Sequence, residues 1–175
     1  MLTSWESFYV IVGSSGGALI GLQFVVITLI ADRRELARSD SLSAFGTPTV
    51  VHLTGALLVS AIMSAPWLSL LPVSAALMTC GLAGLAYGAV VIRRARRQTT
   101  YKPVWEDWLW YAALPCTVYA VVALSAALLP AHPETTSFVI GGAALALLLI
   151  GIHNAWDTVT HIVVSNAGGG VKKTD

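Results

Sequence analysis

Long apolar runs separated by short polar or proline-containing stretches dominate this chain. Five of the runs are long enough to cross about 30 Å of hydrocarbon as α-helices. The pattern therefore predicts an all-α, polytopic membrane bundle, with one five-helix transmembrane domain over residues 1–166 and a flexible cytoplasmic tail over 167–175. The five predicted spans cover roughly residues 7–31, 48–66, 72–93, 105–129 and 137–164.

Composition agrees with a membrane setting and removes several classes of function. Hydrophobic residues make up 56% of the chain and charged residues 11%, whereas a typical soluble domain has about 25% charged residues. No phosphate-binding glycine loop, Cys-x-x-Cys pair or recognisable Ser/His/Asp arrangement is present in the sequence. We therefore predict no enzyme activity, no bound cofactor and no nucleic-acid partner, and we expect Cys80 and Cys116 to be packing thiols rather than a disulfide.

The basic residues predict the orientation of the bundle. All ten Lys and Arg residues fall in the 1–2 connection, the 3–4 connection or the C-terminal tail, which lie on one side of a five-span arrangement. Because basic residues accumulate on the cytoplasmic side, we expect the N-terminus outside and the C-terminus in the cytoplasm. The first span lacks a basic n-region and a small-residue cleavage site, so it is predicted to be a retained anchor.

Local signals indicate where the helices begin, bend and end. Thr47-Pro48 is typical of an N-cap followed by proline at the first helical position. Glu106 and Asp107 are expected in the first turn of span 4, where the helix dipole favours carboxylates. Pro115 should kink span 4, the glycines at 168–170 should end the last helix, and the tryptophans around 105–110 are read as an interfacial belt.

Small residues mark the faces on which helices are expected to touch. Glycines spaced three or four residues apart let two backbones approach closely, which is the main route to helix association in lipid. These faces serve either packing within one subunit or a homo-oligomer interface. The predicted helix-packing residues are Gly13, Gly17, Gly21, Gly81, Gly84 and Gly88.

Polar residues interrupt the last apolar run at helical spacing. His153, Asp157 and His161 are separated by four residues each, so they drift only about 40° per step and form one stripe on a helix. An ionisable side chain inside a membrane costs roughly 2.5 kcal/mol or more, so the stripe must face protein, water or an ion. His52 and Gln23 should lie at similar depth. The candidate ion- or proton-pathway residues are His153, Asn154, Asp157, Thr158, His161, His52 and Gln23.

Three interpretations of this stripe remain open. The first is that it passes or senses ions or protons, because imidazole titrates near neutral pH and aspartate relays protons or attracts cations. The second is a non-transporting scaffold or regulatory subunit, in which the same groups only fix the register of the helices. The third is a haem- or metal-binding redox protein, in which His-x3-Asp-x3-His and His52 supply ligands. Small ions or protons, membrane lipids and further copies of the chain are the expected partners.

Two segments carry a resemblance to known proteins. The sequence Gly-Leu-Gln-Phe-Val at 21–25, after a glycine-rich first span, and Gly-Ile-His-Asn-Ala-Trp-Asp at 151–157 resemble a set of small, uncharacterised bacterial integral-membrane proteins. The resemblance covers the two ends of the chain better than the middle. It implies a location in the bacterial plasma membrane and implies no activity or residue role.

Overall fold

The computed structural model describes residues 5–31, 40–97 and 104–169. In this part of the chain, five helical segments are long and apolar enough to cross a membrane, which confirms the all-α expectation with five potential spans. Helices α4 and α5 and the π-helical turn between them form one continuous segment. The elements are α1 (Glu6–Ala31), α2 (Asp40–Ser64), α3 (Leu70–Arg97), α4 (Trp105–Trp108), the π turn (Leu109–Ala113), α5 (Leu114–Leu128) and α6 (Pro133–Gly169).

Helix α2 packs against both α1 and α6, and α5 packs against α3 and α6. Close approaches at glycines show that α2 and α6 are antiparallel, because Gly55 lies against Leu147 and Gly151 lies against Leu53. We call the end of the bundle where α3 finishes, at Arg97, the arginine end. Helix α4 begins and α6 finishes at this same end.

The structure corrects the predicted beginning of the second helix. Helix α2 begins at Asp40, and Pro48 lies inside it rather than at its first position. The helix thus continues on the N-terminal side of the proline, because membrane helices tolerate an internal proline when neighbouring groups satisfy the freed backbone.

The irregularity expected at Pro115 takes the form of a π turn immediately before it. Proline has no N–H, and its ring clashes with the carbonyl four residues earlier, which here belongs to Tyr111. The Leu114 N–H donates to the Leu109 carbonyl, five residues back, so the helix is widened where the proline would collide with it. At the start of the same segment, the Val104 N–H donates to the Asp107 carboxylate at 3.0 Å, as expected for a first-turn acid.

The three glycines of α3 named above lie close to α5, whereas only one of the three named on α1 has a close neighbour. A Cβ on Gly81 would lie 2.8 Å from the Ala123 nitrogen, and one on Gly88 would lie 2.5 Å from the Cys116 sulfur. On α1, Gly13 lies against Ser60, but Gly17 and Gly21 face open space within the described chain. The face of α1 toward α2 runs through Gly13 and Gly16, because residues three apart, as well as four apart, share a helix face.

Candidate functional site

The polar segment of α6 divides between the interior and the surface of the bundle. Asn154 is 0% exposed, His153 is half-buried and Asp157 is exposed. The predicted stripe of His153 and Asp157 therefore lies beside the buried face of the helix and not on it. Asn154 is displaced by about 100° from His153, and it is the polar residue that α6 turns into the core.

Asn154 is buried without hydrogen-bond partners for its side chain. Neither its amide nitrogen nor its amide oxygen has a partner among the described residues. Its main-chain carbonyl accepts a bond from the Thr158 hydroxyl at 2.8 Å, which leaves the side-chain amide uncommitted. An unpaired buried donor or acceptor costs about 1–3 kcal/mol, so this side chain is held in an unfavourable position or binds something small.

His52 on α2 is the second buried polar side chain of the site. It is 2% exposed, its Nδ1 lies 3.4 Å from the Tyr119 hydroxyl, and its ring lies 6.5 Å from that of Tyr87. Its Nε2 has no partner among the described residues. The imidazole is therefore held by Tyr119 through Nδ1, and Nε2 can bind a ligand.

The Tyr119 hydroxyl determines whether Nε2 of His52 is a hydrogen-bond donor or an acceptor. It lies 3.4 Å from the Val51 carbonyl as well as from His52, and a phenol has one proton to donate. If Tyr119 donates to Val51, Nδ1 of His52 carries a proton and Nε2 is an acceptor. If Tyr119 donates to His52, Nε2 carries the proton and is a donor. The free nitrogen can therefore exchange donor and acceptor roles without movement of the helices.

The π turn of span 4 contacts two residues of the stripe, His153 and Asp157. The indole of Trp110 stacks on the imidazole of His153, with ring centroids 3.6 Å apart and an interplanar angle of 17°. The Tyr111 hydroxyl donates to the Asp157 carboxylate at 3.2 Å. Two successive residues of the turn thus contact two residues one helical turn apart on α6, which ties the irregular segment to the titratable ones.

The polar groups form a series that begins at the arginine end and stops inside the bundle. Helix α6 advances about 4.5 Å over three residues, so the contact of Gly151 with Leu53 makes Asn154 level with about residue 50 of α2. His52 then lies about 3 Å further in. The next buried polar residue on α2 is Ser60, about 12 Å beyond His52. The apolar side chains between these levels, all 0% exposed, are Leu53, Ala56, Val59, Ala144 and Leu147.

The remaining predicted site residues are not joined to this series. Gln23 is half-buried on α1, and the described residues show no hydrogen bond between it and the stripe. The side chain of His161 lies outside the described residues. His52 contacts α3 and α5, whereas Asp157 is exposed and bonded to Tyr111, so the cluster of these two that depth alone allowed is not formed.

Sequence reasoning missed three aromatic contributors to the site. The sequence pattern predicts only an interfacial position for Trp110, and it assigns no contact to Tyr111 or Tyr119. A tyrosine in the middle of an apolar span, as Tyr119 is, would have been a usable signal, because a buried hydroxyl needs a partner. The identity of that partner depends on the packing of α2 against α5, which the sequence pattern does not specify.

The haem or metal interpretation finds no ligand set in the described part of the chain. No group of three or more His, Cys, Asp or Glu residues is arranged there to hold a metal ion. Spacing explains this result, because successive ligands four residues apart rise about 6 Å along the helix. The two histidines with described contacts are also engaged by different neighbours, His52 by Tyr119 and His153 by Trp110.

The class defined by these features is a helical protein with five potential membrane spans in its described residues and a buried polar site near its arginine end. Comparison of the chain with protein families, curated proteins and solved structures finds no match.

Proposed function

We propose that this chain is a multi-pass protein of the bacterial plasma membrane that senses protons or small ions at the polar site of α6. The arginine end faces the cytoplasm in this proposal. The observation that carries it is the buried Asn154 amide, whose two polar atoms have no partner among the described residues. A site that served only to hold helices together would pair such atoms, because leaving them unpaired opposes folding.

Asn154 and the free nitrogen of His52 suit a small polar guest. The amide offers one acceptor and two N–H donors, and His52 Nε2 offers either role. Asp157 stands one turn nearer the arginine end and is exposed, so it can attract a cation or exchange a proton at the entrance. Ionisable groups in a membrane-spanning segment are by default functional candidates.

Sensing is favoured over passage through one subunit because the polar series is interrupted. About 12 Å of helix separates His52 from Ser60, and Leu53, Ala56 and Leu147 fill that level without exposure to solvent. Beyond the Tyr119 hydroxyl, which lies beside Gly55, an ion without its water shell would meet these apolar side chains. Passage across the membrane would therefore need a path between copies in a homo-oligomer.

The test compares Asp157→Asn with wild type in two assays. Liposomes loaded with a pH-sensitive dye report proton passage, and tryptophan fluorescence reports binding. Asn keeps the shape of Asp and one oxygen that can accept the Tyr111 hydrogen bond, but it loses the charge. We expect a pH- or cation-dependent change in tryptophan fluorescence in wild type that Asp157→Asn abolishes, and that Asn154→Leu reduces at least tenfold. Thr135→Val, at an exposed position at the opposite end of α6, is the control.

The scaffold alternative is favoured by the contacts that His153 and Asp157 already make with the π turn. If these contacts only fix helix register, Asp157→Asn should lower thermal stability, since a charge-assisted bond becomes a weaker neutral one. Wild-type fluorescence would then be insensitive to pH and to cations while the variant melts earlier. That pair of results would reject sensing.

A further inference from the structure

The last turns of α3 concentrate positive charge on an exposed face. Four arginines occur within five residues, and all are exposed. At 100° per residue they span an arc of about 160°, and Val90, which is 39% exposed, lies inside that arc one turn earlier. The face that is apolar at Val90 therefore becomes cationic toward the helix end. The arginines are Arg93, Arg94, Arg96 and Arg97.

Tryptophans of the neighbouring segment lie at the level of these arginines. Helices α3 and α5 are antiparallel, with Gly81 against Ala123 and Gly88 against Cys116. Extending this register makes Trp108 level with about Arg96, and Trp105 lies about 4.5 Å further out. Trp105 is 71% exposed. Tryptophan concentrates at the headgroup level of membranes, so the register sets the arginines at that level as well.

The acidic residues nearest in the sequence do not match this charge. Glu106 and Asp107 are the two carboxylates of α4, and Asp107 already accepts the Val104 N–H at 3.0 Å. The four guanidinium charges thus exceed the two carboxylate charges, and one of the carboxylates is already engaged in a helix cap. The surface formed by these residues therefore carries a net positive charge.

We propose that this surface, formed by the four arginines with Trp105 and Trp108, binds the phosphate groups of anionic phospholipids. A guanidinium presents a planar fork of N–H donors that matches phosphate oxygens in bidentate geometry. Clusters of four or more basic residues directly beyond a membrane helix attract anionic lipid. The exposed indole of Trp105 and the half-buried indole of Trp108 supply the amphipathic contact beside the headgroups. This inference is independent of the polar site on α6.

The test measures thermal unfolding of the full chain in nanodiscs of phosphatidylglycerol and in nanodiscs of phosphatidylcholine. Wild type should melt at a temperature higher by several degrees in the anionic lipid, and added salt should reduce the difference. A variant with all four arginines changed to glutamine should lose the difference. Changing the four to lysine should retain part of it, because the charge remains while the bidentate fork is lost.

Matched controls test whether the lipid preference comes from this surface rather than from basic residues elsewhere in the chain, and whether it requires lipid rather than free phosphate. Lys172→Gln with Lys173→Gln removes basic residues from the tail and should leave the lipid preference intact. Inorganic phosphate added to protein in phosphatidylcholine nanodiscs should not reproduce the stabilisation. If phosphate reproduces it, if the glutamine variant keeps the preference, or if wild type melts equally in both lipids, the proposal is overturned.

Discussion

Tyr119 shows at the scale of single residues why particular glycines matter in this bundle. A Cβ on Gly84 of α3 would clash with the Tyr119 ring, and one on Gly55 of α2 would lie 2.6 Å from its hydroxyl. Two glycines on different helices thus leave the slot that the phenol fills. The slot brings the Tyr119 hydroxyl to His52, so a packing feature also positions the candidate site.

Gly84→Ala should therefore destabilise the protein, whereas Gly17→Ala should not. Overfilling a packed site costs about 1–3 kcal/mol, and the rigid Tyr119 ring has little room to retreat. Gly17 faces open space within the described chain, and alanine favours a helix over glycine by about 1 kcal/mol. Thermal unfolding in detergent is the measurement. Equal losses in both variants would contradict the assigned packing, and a loss of association confined to Gly17→Ala would indicate contact between copies on that face.

Asn154→Leu should raise or preserve thermal stability, although the same change is expected to impair sensing. Leucine has the same branched skeleton but is larger, and it removes an amide that is fully buried with no side-chain partner among the described residues. The gain should be at most the cost of an unpaired buried polar group, about 1–3 kcal/mol, reduced by the cost of packing the larger methyl groups. Denaturant or heat titration of the purified protein measures it. A clear loss of stability would mean that the amide is satisfied in the folded protein, which would remove the observation on which the proposed function depends.

At the scale of elements, the π turn joins two helices that the sequence leaves unrelated. Pro115 predicts an irregularity in the helix, because the effect of proline on the preceding turn follows from its covalent structure. The sequence does not say whether that irregularity becomes a bend or a widened turn. The choice depends on contacts between distant residues, here Trp110 with His153 and Tyr111 with Asp157. Local irregularities of this type occur frequently at functional sites.

A double-mutant cycle should detect coupling between the π turn and α6. Trp110→Ala and His153→Ala are each expected to destabilise, and the double variant should lose less than their sum. Stacked aromatic pairs contribute about 0.5–1.5 kcal/mol beyond burial, which sets the expected coupling. The matched cycle uses Trp105, which is 71% exposed, in place of Trp110, and should give no coupling. Additive effects in the Trp110 cycle would show that the stack contributes nothing to stability.

At the scale of the whole molecule, the number of potential spans was predictable, because it depends on the lengths of the apolar runs. Five runs gave five potential spans, because hydrocarbon thickness limits how short a spanning helix can be. The register between helices was not predictable in the same way. Gly13 and Gly17 look equivalent in the sequence, yet only the first meets α2, since that choice depends on how α1 rotates against its neighbours. For the same reason, the stripe was visible while the burial of Asn154 beside it was not.

The orientation of the whole bundle gives the last prediction, which is that the α2–α3 turn faces outward and the α3–α4 connection faces the cytoplasm. Arginines at 93–97 border the second of these, whereas residues 65–72 contain no Lys or Arg, and basic residues resist translocation. Ser69→Cys and Thr99→Cys are made separately in a chain whose Cys80 and Cys116 are changed to alanine, after its thermal stability has been checked. A membrane-impermeant maleimide applied to intact cells should label position 69, and position 99 should react only after the cells are opened. Labelling of position 99 from outside would reverse the orientation and would set the polar site, with Asp157 at its entrance, toward the opposite face of the membrane.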